Sequence, residues 1–304
     1  MQWPPGGGNQ KEMIMDAELP TYDDQARLWN GRAGQAWIAQ QPLLDRLFEP
    51  MQDLLTAEVV ERRGRQVLDV GCGPGTTTLA VARRLAPGGR CVGIDISAPM
   101  IEFARERAAN DGAPVSFICA DAQTYAFEAA SFDTIMSRFG VMFFGDSVAA
   151  FANLRRAARE DAALRFIAWR SPEENPFMTT AQRAAAPLLS YVPARRPDAP
   201  GQFAFADRGR VSRILEASGW ADIDVRAIDI PCTFPEPDLL SYITRLGPVG
   251  LVLQDADEQL RAKVIQTIRP AFEPFVHGGD VRFTAACWMV SARAPSASGS
   301  SVET

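Results

Sequence analysis

The chain is short of the side chains from which many catalytic and metal centres are built. It holds one histidine, His277, among 304 residues. There is thus no HxD, no Glu-His pair and no Cys/His cluster for structural zinc. The five cysteines, Cys72, Cys91, Cys119, Cys232 and Cys287, are odd in number, scattered, and form no CxxC. That usage predicts small buried side chains in a reducing cytosol, not a disulfide framework. No apolar run approaches the ~20 residues of a membrane helix. The start, MQWPPGGGNQKEMIMD, lacks the basic and apolar parts of a signal peptide, so a cytoplasmic protein is expected. A basic surplus is missing too. The net charge of -6 argues against a general nucleic-acid binder, and Arg155, Arg156 and Arg159 read as a solvated helix face.

What is present is an ordinary globular composition, 47% hydrophobic and 22% charged, with enough length for a full core. Its most specific stretch is VLDVGCGPGTTT at 67–78. Val67, Leu68 and Val70 read as a buried strand, and Gly71, Gly73 and Gly75 as a tight turn into a helix. Glycines suit such a turn because a Cβ would block a ligand or resist φ > 0. The spacing is G-x-G-x-G with Thr76 next, whereas a dinucleotide fingerprint is G-x-G-x-x-G. Asp69 just before the turn is a poor neighbour for a pyrophosphate and a good one for an ammonium group. Asp95, in GIDIS at 93–97, stands where a carboxylate takes both ribose hydroxyls.

Loop, preceding aspartate and spaced aspartate together resemble motif I of the class I S-adenosylmethionine-dependent methyltransferases. SRFGVMFF at 137–144, and NPF after the fifth strand, resemble the small-molecule enzymes near the ubiquinone/menaquinone C-methyltransferases. The alternation of strand and helix from Gln66 predicts an α/β fold with a parallel sheet. The resemblance implies a Rossmann-like sheet of order 3-2-1-4-5-7-6 with strand seven antiparallel. Two departures stand out. REDAALR at 159–165 replaces the usual proline-glycine-glycine entry to strand five, and about forty residues replace the short hairpin between strands six and seven.

The expected organisation is a disordered tail at 1–18, an N-terminal helical lid at 19–62, a methyltransferase domain at 63–294 and a disordered tail at 295–304. Pro42 and Pro50 are expected to break the lid into short pieces. The domain carries an insert at 236–279, whose GPVG at 247–250 reads as a joint between two helical runs. A connection of that length is commonly functional. Its amphipathic helices suit a cover over the acceptor, a plain packing layer or a homodimer contact.

The resemblance also implies site roles. Asp69 faces the methionyl ammonium, Gly71, Gly73 and Gly75 admit the cofactor, and Asp95 binds the ribose. Ile96 and Met100 pack on the adenine, Asp121 and the Ala122 amide read its edge, and the Ser137 carbonyl meets the ammonium. The cofactor is S-adenosyl-L-methionine, leaving S-adenosyl-L-homocysteine, with no metal. Asp121 also reads as a cap for the segment after it, and Met100 as helix core. For the acceptor, a small apolar or aromatic metabolite, Trp29, Trp37, Phe139, Trp169 and Tyr191 are pocket candidates. Arg138 suits either a substrate anion or an internal carboxylate. His277 is the one candidate base, and a turn histidine is the plainer reading. Two other readings are a protein or RNA methyltransferase of the same fold and a non-catalytic adenosylmethionine-binding protein. An NPPY-type motif after strand four would favour the first, and SRFG stands there instead.

Overall fold

Short apolar runs closed by glycine or aspartate form the strands of one sheet in this computed structural model, which describes residues 22–61, 65–189 and 199–296. The expected tail at 1–18, most of that at 295–304, and Tyr191 lie outside those residues. The strands are β1 (Gln66–Val70), β2 (Arg90–Asp95), β3 (Val115–Cys119), β4 (Phe132–Arg138), β5 (Ala158–Trp169), β6 (Ala221–Pro235), β7 (Val276–His277) and β8 (Asp280–Arg293). The helices are α1 (Tyr22–Asn30), α2 (Arg32–Ala39), α3 (Gln41–Glu61), α4 (Thr76–Ala82), α5 (Ala98–Ala109), α6 (Ser147–Ala157), α7 (Pro176–Ala185), α8 (Arg208–Ala217), α9 (Leu239–Arg245), α10 (Gly247–Leu253) and α11 (Glu258–Ile268).

The sheet order is β3-β2-β1-β4-β5-β8-β6, and β8 runs antiparallel to both neighbours. This is the expected order, with β8 as the seventh long strand because the two-residue β7 precedes it. From β1 the chain steps to β2 and β3 in one direction and from β4 to β5 in the other. Right-handed crossovers therefore place α4 and α5 on one face and α6 on the opposite face. The switch point falls between β1 and β4, where open α/β sheets bind ligands at the strand ends.

Local signals set the helix starts. Ser97 accepts from the Met100 amide at the head of α5, and Asp146, Asp207 and Asp257 cap α6, α8 and α11 in the same way. Three expectations are corrected. Pro50 does not break the N-terminal segment, because α3 continues through it. An interior proline costs about 3 kcal/mol. Here it sits on the exposed side while Leu43, Leu44, Leu47, Phe48, Met51, Leu55 and Val59 bury the other side, and that burial outweighs it. Second, Arg159 does not share a helix face with Arg155 and Arg156, because α6 stops at Ala157. Ala158 already pairs with Phe132, and Arg159 reaches Asp133 and the Ala130 carbonyl. Within β5 the pairing jumps from Phe132–Ala158 to Thr134–Ala163, and Asp161 stands in that bulge at φ 60°, an aspartate in the left-handed region. Third, GPVG is no joint but the first turn of α10, with Gly247 at φ 67° and Pro248 in the first turn, where a missing N–H does no harm.

The N-terminal helices and the insert meet each other. Ser241 donates to the Gln40 side-chain carbonyl at 2.7 Å, Arg46 pairs with Asp238, and Arg32 pairs with Asp255. No described helix is long and apolar enough to cross a membrane.

Candidate active site

A cavity of about 410 Å³ opens over the carboxyl ends of β1 to β4, at the switch point. Asp121, Ala122 and Gln123 enter it from the end of β3, Asp95 and Ile96 from β2, Gly71 and Gly73 from β1, and Arg138, Phe139 and Gly140 from β4. Helices α1 and α2 close one side with Gln25, Trp29 and Trp37. The insert closes another with Tyr242, Ile243, Arg245 and Leu246.

The three loop glycines are glycines for different reasons. A Cβ on Gly71 would stand 2.5 Å from the Gly140 Cα, so the two backbones cross where β1 and β4 end. A Cβ on Gly75 would strike the Phe117 ring at 2.8 Å and Ala104 at 3.0 Å, beneath the loop. Only at Gly73 is the space free, its nearest neighbour being the Met100 sulfur at 3.5 Å. All three have positive φ, at 66°, 53° and 79°. Gly71 and Gly75 thus serve packing and backbone conformation, and Gly73 keeps the floor open. From behind, Thr76 donates to Asp45 at 2.7 Å and Arg107 donates to Thr76 and the Pro74 carbonyl, tying the loop to α3.

Asp95 is held by backbone. Gly73 N–H donates to one oxygen at 2.8 Å and Ser97 N–H to the other at 2.9 Å. Burial raises its pKa, and these amides work against that rise. Each carboxylate oxygen has a further lone pair for a ligand. Asp121 caps the turn after β3, accepting from Gln123 N–H at 2.9 Å, while also lining the cavity beside Ala122. Met100 and Ile96 line it too, and Met100 is buried. Asp69 and Ser137 stand behind the lining. Burial pushes the Asp69 carboxyl up to about 7, while Thr78 donates to it at 2.7 Å and Arg138 attracts it. Ser137 donates its hydroxyl to the Val70 carbonyl and accepts from Gly140 N–H, stitching the ends of β1 and β4 together.

The other end of the cavity is aromatic. Phe139 stacks on Trp169 with centroids 4.5 Å apart and planes 3° apart, and Phe48 meets both edge-on. Trp37 stacks on Phe48, and Trp29 sets its edge against Trp37 and Phe143. All six line the cavity. Phe139 achieves its pose at φ 69°, a conformation that costs a bulky residue of order 1–3 kcal/mol. Its N–H bonds the Ile167 carbonyl at 3.0 Å, which fixes that turn.

Trp29, Trp37, Arg138, Phe139 and Trp169 therefore converge as the sequence suggested. His277 does not. It is exposed in the β7–β8 hairpin, opposite Asp280, and takes no part in the lining. Phe143, an aromatic of the SRFGVMFF stretch, joins the lining, whereas Phe48, Met178, Tyr242 and Gly140 were missed. Gly140 alone had a readable local signal, a glycine directly after strand four; the others converge through long-range packing. Gln25 was missed as well. It is 8% exposed, it lines the cavity, and its side-chain oxygen meets no donor among the described residues.

Residues 67–161 match the family model described as a methyltransferase domain. Nocamycin O-methyltransferase of Saccharothrix syringae is 28% identical over 83% of this chain and 93% of its own length. The demethylmenaquinone methyltransferase of Thermus thermophilus is 31% identical over 39% of this chain, which spans about half (53%) of that enzyme. The crystal structure of YcgJ from Bacillus subtilis shares the fold at a TM-score of 0.54 and 18% identity, covering 80% of this chain and 99% of that one. Residues 67–161 thus form the core of an S-adenosylmethionine-dependent methyltransferase domain, on the fold that the solved relative shares. The cavity suits S-adenosylmethionine: the open face at Gly73 and the spare lone pairs of Asp95 fit a ligand that is polar at this end, and the Gln25 oxygen lines the same cavity.

Proposed function

We propose that this methyltransferase alkylates an acidic hydroxyl or carboxyl oxygen on a small, largely apolar or aromatic metabolite. The observation that carries the reading is one cavity with a backbone-lined polar end and a six-ring aromatic end. Asp95 accepts from the ribose, Asp121 and Ala122 meet the adenine edge, Ile96 and Met100 cover its faces, and Gly73 lets the methionyl arm lie against the chain. Asp69 acts on the ammonium from behind the loop. When bound, S-adenosylmethionine supplies an electrophilic methyl carbon that is displaced from sulfur by the acceptor's lone pair in line. The rings of Phe139 and Trp169 hold a flat acceptor in that line, and the surrounding aromatic wall excludes water.

The oxygen assignment rests on what can take a proton. Tyr242 is held protonated because burial raises its pKa, and the two lining carboxylates, Asp95 and Asp121, belong to the adenosine end. With no base among the described residues of the aromatic end, the acceptor either ionises by itself near neutral pH, as an acidic hydroxyl or carboxyl does, or attacks with a neutral lone pair. Similarity to an O-methyltransferase supports the first of these. Helices α1–α3, within 19–62, and the insert at 236–279 act as covers over that acceptor. The test is turnover against a panel of aromatic and aliphatic hydroxy and carboxy compounds, with the methylated atom located by mass spectrometry and NMR. Methyl esters or ethers are the expected products. Turnover confined to amines, or to protein or RNA, would contradict the reading.

A further inference from the structure

Arg245, exposed at the insert, and Arg138 are the cations lining the cavity among the described residues, and only Arg138 stands on its inner wall. Its Nε donates to the Thr77 hydroxyl at 2.9 Å, and its guanidinium carbon lies 5.2 Å from the Phe48 ring centroid. These contacts fix the plane of the group and use one N–H. The four N–H groups of the terminal nitrogens find no acceptor among the described residues, and no carboxylate lies within ion-pair distance. Asp69 and Asp45 act on it only at longer range. A half-buried guanidinium with four unused N–H groups facing a cavity is a ready donor set, and an anion there is met by charge-assisted bonds.

The order of the strands says which anion. Asp121, Asp95, Gly73 and Arg138 stand at the ends of β3, β2, β1 and β4, which are consecutive neighbours. At about 4.8 Å per strand, this row spans about 14 Å. An adenosyl amino acid with its base at Asp121 and its ribose at Asp95 crosses Gly73 and ends over β4. We infer that Arg138 is the anchor of the cofactor's amino-acid carboxylate, received by the terminal nitrogens that Thr77 leaves free. This rests on the adenosyl orientation proposed above. It makes Arg138 part of cofactor recognition, not an acceptor-binding or purely internal residue, and it assigns the end of the ligand farthest from the base.

The test compares two ligands by titration calorimetry: S-adenosylhomocysteine, and 5′-methylthioadenosine, which keeps the base, ribose and sulfur but has no carboxylate. Arg138→Leu is expected to weaken S-adenosylhomocysteine about 10- to 100-fold while leaving methylthioadenosine within about twofold. Arg138→Lys should recover part of the loss, and circular dichroism with thermal melts checks that each variant is folded. Equal weakening of both ligands would overturn the assignment and make Arg138 structural. Unchanged S-adenosylhomocysteine affinity with a raised acceptor KM would also overturn it and give the guanidinium to the acceptor. Failure of the wild-type protein to bind either ligand would instead sink the adenosyl orientation itself.

Discussion

The end of the cavity over β1 to β3 is built of backbone, whereas the end beyond β4 is built of rings. At the first, amides of Gly73 and Ser97 hold Asp95, and a missing Cβ leaves the floor open. At the second, Trp29, Trp37, Phe48, Phe139 and Trp169 come from α1, α2, α3 and the ends of β4 and β5. The difference is one of encoding. Backbone recognition needs a contiguous turn and so leaves a motif, while an aromatic wall is gathered from distant segments and leaves none. The first end is also rigid toward substitution, whereas a wall of side chains can be reshaped for another acceptor without touching the loop.

The largest effect should separate two glycines that stand two residues apart in the loop, Gly71 and Gly73. Gly71→Ala drives a Cβ into Gly140 at positive φ, so urea unfolding should show a loss of about 2–5 kcal/mol. Gly73→Ala keeps only the conformational cost, about 1–2 kcal/mol, yet should weaken S-adenosylhomocysteine at least as much as Gly71→Ala does. Equal stability of the two variants would erase the distinction between packing glycine and floor glycine.

Asp69 should give the next effect through pH. Its folded pKa, about 7, lies above the ordinary 3.8, so the folded state holds the proton more tightly than the unfolded chain. Stability from this group is complete below about pH 4 and is lost as pH rises through 7, at most a few kcal/mol in all. Asp69→Asn should flatten that slope in denaturant melts between pH 4 and 8. A slope that survives unchanged assigns it elsewhere, for example to Asp95.

A crossed pair of variants then tests whether the two ends act separately. Asp95→Ala should weaken S-adenosylhomocysteine roughly 10- to 150-fold, from losing bonds to a charged acceptor worth about 1.5–3 kcal/mol. Trp169→Leu should leave that affinity within about twofold and raise the acceptor KM about 10-fold through loss of the stacked wall. If Trp169→Leu harms both ligands alike, the cavity is one cooperative unit instead of two ends.

How much of this was legible follows the same division. That the glycine loop, Asp95 and Asp121 would sit at strand ends over one cavity was readable because each position is set by neighbours in sequence. Trp29 and Trp37 were readable as aromatics, but their meeting with Phe48 was not, since long-range packing of α3, a helix that also continues past Pro50, brings that ring to them. That proline misled because burial on the opposite face, not propensity, decides the helix. GPVG misled because a proline after a left-handed glycine opens a helix as readily as it ends one. The sheet order was legible because alternation and handedness prune the topologies. Gln25 was invisible, because nothing local marks an amide that the fold will bury.

Gln25 supplies the smallest effect and an informative sign. Its buried oxygen has no donor, so Gln25→Leu should raise the stability of the unliganded protein by about 1 kcal/mol. The same change should reduce the rise in Tm that S-adenosylhomocysteine produces, if α1 reads the ligand through that oxygen. A stabilised variant with an undiminished ligand shift would place Gln25 outside recognition.

The central claim, that the strand ends of β1 to β4 form an adenosyl site, is met most directly by titrating S-adenosylhomocysteine into the wild-type protein by calorimetry, with NAD titrated in parallel. The account predicts saturable binding of one S-adenosylhomocysteine per chain and no heat from NAD. No binding of S-adenosylhomocysteine, or its displacement by NAD, would contradict it.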